Sequence, residues 1–121
     1  MTLTISFFEP SIGDINNAYR GMPEKLGSEL FGFESWRRTV WGNDELKKIK
    51  VTFLNQLKNQ DLYIYPKDIE LFKTELELVL SKTTELAVKL GVYEEDIQFR
   101  IKNAINACMH ANNKGYGLCI S

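Results

Sequence analysis

Apolar residues recur at spacings of three and four through two consecutive segments in the second half of the chain. The first stripe, within 67–90, consists of Ile69, Phe72, Leu76, Val79, Thr83, Leu86 and Leu90. The second consists of Ile97, Ile101, Ala104, Cys108 and Ala111. This spacing is typical of helices with one buried face, so we predict one long helix over 67–90 and another from Tyr93 to about Gly115.

Gly91 stands between the two predicted helices and leaves only a short connection. Glycine commonly follows a helix because that position favours left-handed backbone, which costs glycine little. Two helices joined by so few residues pack side by side in opposite directions. We therefore predict an antiparallel helix hairpin near the C-terminus, with both stripes in one core.

Three shorter segments, 2–8, 61–65 and 116–120, alternate apolar residues with others at the period of two that is typical of a strand. We also predict a helix that begins after Asn43 and continues through Leu57, a short helix over 12–20, and a fourth strand or turn within 31–41. The predicted fold class is α+β, with a small three- or four-stranded mixed or antiparallel sheet packed against helices.

The length and composition predict a single globular domain over 1–121, since 121 residues with 44% hydrophobic content are enough for one core. The formal net charge of −1 is spread evenly, which argues against a nucleic-acid partner. No long apolar run and no signal-peptide pattern occur, so we expect no membrane partner and a cytoplasmic location.

Residue types that carry catalytic or metal chemistry are few in this chain. The one histidine, His110, is two residues from Cys108, and side chains two apart on a helix point in different directions. No phosphate-binding loop, nucleophile motif or zinc motif is present. We therefore predict no catalytic residues, no metal and no cofactor, and we expect Cys108 and Cys119 to be reduced and unreactive.

The most unusual segment is 31–41, FGFESWRRTVW, which concentrates aromatic and arginine side chains. Tryptophan and arginine are enriched at the energetic centres of protein interfaces. The candidate partner-binding residues are Phe31, Phe33, Trp36, Arg37, Arg38 and Trp41. In the alternative interpretation, both tryptophans fill the core and the arginine stems cover its edge.

The segments FGFESW at 31–36, VWG at 40–42, DLYIY at 61–65, IQFRIKNAINA at 97–107 and GYGLCIS at 115–121 resemble parts of small bacterial proteins of unassigned function. In size and scarcity of motifs the chain is also similar to immunity proteins, which neutralise bacterial toxins. The resemblance implies a bacterial, cytosolic, non-catalytic binding protein, and it implies no particular site residues.

The expected function is therefore that of a protein-binding module, with an immunity-type inhibitor of a bacterial toxin as its specific form. One alternative is a small enzyme or ligand-binding protein with an anionic-ligand pocket near Arg37 and Arg38. The other is a structural protein that associates with itself, for example as a homodimer.

Overall fold

The computed structural model describes residues 2–9 and 19–121. Within them the fold is α+β, with a sheet on one side and helices on the other. The elements, in chain order, are β1 (Thr2–Phe8), β2 (Tyr19–Gly21), β3 (Leu30–Phe33), a π-helical turn (Arg37–Trp41), α1 (Asp44–Lys48), β4 (Leu62–Ile64), α2 (Ile69–Ser81), α3 (Thr83–Leu90), α4 (Glu94–Lys114) and β5 (Gly117–Ile120). Short 3₁₀ helices lie at Glu24–Leu26, Leu54–Lys58 and Pro66–Asp68.

The strands pair antiparallel in the order β2-β1-β5-β4, and β3 also pairs with β1. The first and last strands thus lie side by side, with Ile5 opposite Ile120 and Phe8 opposite Gly117. Five strands are present in the described residues, where three or four were predicted. The additional strand, β2, has three residues, too few for a visible alternation. It replaces the end of the helix predicted over 12–20, and the rest of that prediction lies outside the described residues.

The helix hairpin is confirmed, because α2 and α3 both pack against α4 and the predicted stripes meet in one core. Gly91 ends α3 in the left-handed conformation, with φ 69°. The prediction of one continuous helix over 67–90 was wrong, since Lys82, with φ −117°, separates α2 from α3. Beside that break, the buried Thr83 hydroxyl donates a hydrogen bond to the Leu80 carbonyl oxygen at 3.1 Å.

The predicted helix after Asn43 forms only over Asp44–Lys48, with the Asn43 side chain as its cap. A carboxylate remote in sequence accounts for the second, separate helix over Leu54–Lys58. The buried Glu75 accepts hydrogen bonds from the backbone N–H groups of Thr52, Phe53 and Leu54, at 2.6, 3.0 and 2.9 Å. These N–H groups lie at the start of a helix, where the helix itself provides no carbonyl oxygen to accept from them, so they need an acceptor from elsewhere in the chain.

The core lies between the helices and one face of the sheet, to which β1 contributes Leu3, Ile5 and Phe7. Among the described residues, none of the helices combines the length and apolar character needed to cross a lipid bilayer.

Candidate functional site

Three of the candidate binding residues, Phe31, Trp36 and Trp41, lie in the core. The Phe31 and Trp41 rings stack with centroids 4.5 Å apart, and the edge of Trp36 meets Trp41 at 5.5 Å. The Trp41 indole Nε1 donates a hydrogen bond to the Phe31 carbonyl oxygen at 3.0 Å, which satisfies the polar atom of this buried ring. For these residues the structure agrees with the core interpretation.

The π-helical turn Arg37–Trp41 carries the two arginines of the segment 31–41, Arg37 and Arg38. Its characteristic bond runs from the Gly42 N–H to the Arg37 carbonyl oxygen, at 2.8 Å. A Cβ atom at Gly42 would overlap that oxygen and would lie 2.6 Å from Cβ of Lys58. Glycine at this position therefore allows the turn to pack directly against the 3₁₀ helix Leu54–Lys58.

Arg37 is held by acceptors from two other parts of the chain. Its Nε donates to Glu34 Oε1 and its Nη2 to Asp61 Oδ1, both at 2.5 Å. Its Nη1 donates to the carbonyl oxygens of Leu57 and Gln60, at 3.3 and 2.8 Å. With its side chain 16% exposed, Arg37 ties the π-helical turn to the end of the 3₁₀ helix and the start of β4.

Arg38 is exposed, and its side chain makes no hydrogen bond or ion pair with the described residues. Together with Glu34, Ser35, Arg37 and Lys58 it lines a cleft of about 260 Å³. We call this space the basic cleft. It is the place in the structure that corresponds to the anionic-ligand pocket considered from the sequence.

Phe33 is 56% exposed and meets an arginine that sequence reasoning did not select. The guanidinium carbon of Arg100, on α4, lies 5.9 Å from the ring centroid of Phe33, 5.2 Å from Trp36 and 5.3 Å from Phe99. Phe99 is 43% exposed, and Leu30 on β3 is 38% exposed. We call these residues the aromatic patch: Leu30, Phe33, Trp36, Phe99 and Arg100.

Two asparagines tie α4 to β3 and to the 3₁₀ helix Glu24–Leu26, and they thereby position Phe99 and Arg100. The buried Asn103 Nδ2 donates to the Leu30 carbonyl oxygen at 2.9 Å, and Asn106 Nδ2 donates to that of Leu26 at 3.0 Å. One signal in the sequence could have found Phe99, since it is an aromatic residue off the apolar stripe of its helix. No sequence signal connected Arg100 with Trp36.

The Arg100 side chain is 13% exposed and is only partly satisfied by hydrogen bonds. Its Nη1 lies 3.4 Å from both Asp96 Oδ1 and the Asp96 carbonyl oxygen. Its Nε is buried and has no hydrogen-bond partner among the described residues. The guanidinium therefore depends on the three aromatic rings for much of its stabilisation, through cation–π contacts.

Cys108, Cys119 and His110 lie outside both the aromatic patch and the basic cleft. Burial raises the pKa of the Cys108 thiol to about 12, and burial also raises the pKa of Cys119. Both thiols are protonated at neutral pH, which disfavours nucleophilic chemistry. His110 packs against Phe7 at 5.0 Å, and burial, with smaller effects from Lys114 and Lys25, lowers its pKa.

In the part of the chain that the structure describes, no group of three His, Cys, Asp or Glu residues is arranged to hold a metal ion. Comparison with protein-family models, curated proteins and solved structures found no match. The aromatic patch and the basic cleft are the two surface features to which the residues of 31–41 contribute.

Proposed function

We propose that this chain is a non-catalytic protein-binding module and that it contacts its partner through the aromatic patch. The supporting observation is that Phe33 and Phe99, 56% and 43% exposed, flank a guanidinium held against the buried Trp36. Aromatic and arginine side chains grouped in this way are enriched where protein interfaces gain most of their binding energy. An immunity-type inhibitor that binds a bacterial toxin in the cytoplasm is the specific form we propose.

The patch is suited to binding because its exposed rings are carried by regular structure. Phe33 belongs to strand β3 and Phe99 to helix α4, and the hydrogen bond from Asn103 to Leu30 holds these elements together. A surface that is already ordered loses little conformational entropy when a partner covers it. Covering the two rings also removes apolar area from water, which favours association.

Two alternatives have less support from the described residues. An enzyme requires reactive groups that converge in a cleft, whereas both thiols have raised pKa values and lie in buried positions. Self-association could use exposed apolar side chains such as Leu71 on α2 and Val88 on α3, but these lie outside the group of rings around Arg100 that favours the aromatic patch.

The experiment uses affinity capture from the native host, followed by measurement of the dissociation constant with the purified partner. Phe33→Ser and Phe99→Ser should each weaken binding by more than about tenfold, as expected for residues at the centre of an interface. Leu71→Ser is the matched control, because Leu71 is a similarly exposed apolar residue, 62% exposed, on α2. The Leu71→Ser variant should bind the partner with the same dissociation constant as the unmodified protein.

The proposal fails if the Phe33 and Phe99 variants fold normally and bind as well as the control. Recovery of a bound small molecule with no protein partner would favour the ligand-binding alternative. Recovery of this chain alone, with a dimer in sedimentation equilibrium, would favour self-association.

A further inference from the structure

We infer that the basic cleft binds a carboxylate through Arg38 and Lys58, and that an acidic side chain of the protein partner supplies it. This inference rests on the proposed function, because it describes the chemistry of the partner's surface beside the aromatic patch. It assigns a role to the exposed arginine that the fold itself does not use.

Arg38 and Lys58 are exposed cations without a compensating carboxylate. Neither side chain makes a hydrogen bond or ion pair with the described residues. Glu34, the acidic residue that lines the cleft, is engaged by Arg37 Nε at 2.5 Å, and Asp61 is engaged by Arg37 Nη2. Two other surface lysines, Lys48 and Lys89, instead pair with Glu45, at 3.0 and 3.6 Å.

The close approach of Gly42 and Lys58 explains why the two cations share one cleft. Because a Cβ on Gly42 would lie only 2.6 Å from Lys58 Cβ, the Lys58 stem starts directly against the end of the π-helical turn that carries Arg38. Ser35 adds a hydroxyl to the lining. Two cations and a hydroxyl are the donors that a carboxylate accepts from.

The size of the cleft favours a single small group over a larger ligand. Its volume of about 260 Å³ is below the usual range for small-molecule sites, roughly 300 to 1,000 Å³. A side-chain carboxylate is small enough, and so is a free phosphate ion, which is also an anion that accepts hydrogen bonds from Arg and Lys. The location favours the partner's side chain, because Phe33 of the aromatic patch is two residues from Ser35, at most about 7 Å along the backbone.

The test titrates the isotope-labelled protein with an N-acetylated tetraglutamate peptide and follows the backbone amide resonances by NMR. We expect saturable shifts at Ser35, Arg38 and Lys58. The double variant Arg38→Ala with Lys58→Ala should weaken peptide binding by more than about tenfold, since hydrogen bonds to charged groups contribute at least that much. The charge-preserving pair Arg38→Lys with Lys58→Arg should retain binding.

Lys67→Ala with Lys114→Ala is the matched control, because it removes the same charge from two exposed lysines outside the cleft. Equal weakening by this control would overturn the inference, since attraction would then depend on net charge alone. Binding of inorganic phosphate in the cleft without binding of the peptide would also overturn it. Unchanged melting temperatures of the two alanine double variants, in the cleft and in the control, would establish that binding, not folding, has been altered.

The two proposals fail separately. If the peptide binds the cleft but Phe33→Ser leaves partner affinity unchanged, the aromatic patch is not the interface. If Phe33→Ser weakens partner binding but the peptide does not bind, the patch stands and the carboxylate site is wrong.

Discussion

Trp41 Nε1 donates a hydrogen bond to the Phe31 carbonyl oxygen at 3.0 Å, while the rings of the same two residues stack 4.5 Å apart. The strand β3 and the π-helical turn are therefore joined by both a polar and an apolar contact. This pairing turns the segment 31–41 inward and leaves Phe33 and Arg38 as its exposed aromatic and basic residues.

Replacing Trp41 with phenylalanine should lower the free energy of unfolding by about 1 to 3 kcal/mol, because the buried Phe31 carbonyl oxygen loses its indole donor. Urea denaturation followed by circular dichroism measures this change. Phe33→Leu removes one of the three cation–π contacts of Arg100 and should cost less, about 0.5 to 1 kcal/mol. Equal effects of the two substitutions would contradict the core role of Trp41.

Glu75→Gln should destabilise the fold by about 1 to 3 kcal/mol, because an amide group cannot replace both carboxylate oxygens as acceptors for the N–H groups of Thr52, Phe53 and Leu54. Glu77→Gln is the matched control, since Glu77 is exposed on the same helix, and it should have an effect below about 0.5 kcal/mol. Chemical denaturation of both variants tests the difference. A Glu75 variant as stable as the control would exclude the capping role.

Replacing Arg37 should lower the stability of the fold much more than replacing its neighbour Arg38. Arg37→Ala removes bonds to Glu34, Asp61 and two carbonyl groups, so we expect a loss of about 1 to 3 kcal/mol. Arg38→Ala removes none and should stay within about 0.5 kcal/mol. Thermal denaturation of the two single variants gives the comparison, and a reversed order would refute the assignment of Arg37 to the fold.

The Cys108 thiol should react slowly with iodoacetamide in the native protein at about pH 8, because burial raises its pKa from 9.0 to about 12. The unfolded chain loses this proton near pH 9, whereas the folded chain keeps it until about pH 12. Cys108 therefore stabilises the fold below pH 9, and this contribution declines as pH rises towards 12.

Denaturation of the unmodified protein and of Cys108→Ala, at about pH 8 and about pH 10, isolates this contribution. The stability difference between the two proteins should become smaller at the higher pH. A difference that grows with pH, or rapid labelling of native Cys108, would show that the thiol is not protected by burial.

The helix hairpin and the strands within 2–8, 61–65 and 116–120 could be predicted from the sequence, because the patterns that indicate them are local. The stripe containing Leu76 and the stripe containing Ile101 are set by helical periodicity, and Gly91 marks the turn between them. The alternation around Ile5 likewise identifies a strand with one buried face. Such patterns depend on neighbouring residues, so they can be recognised without knowing the tertiary structure.

Contacts between distant residues decided the rest. Glu75 accepts hydrogen bonds from residues more than 20 positions earlier, which divides one predicted helix into two. Arg100 reaches Trp36 from another element, and Arg37 finds its acceptors near Asp61. The sequence determined where aromatic and basic side chains are concentrated. Only the tertiary structure decided which of them are buried and which face solvent, because burial depends on the elements packed against each side chain.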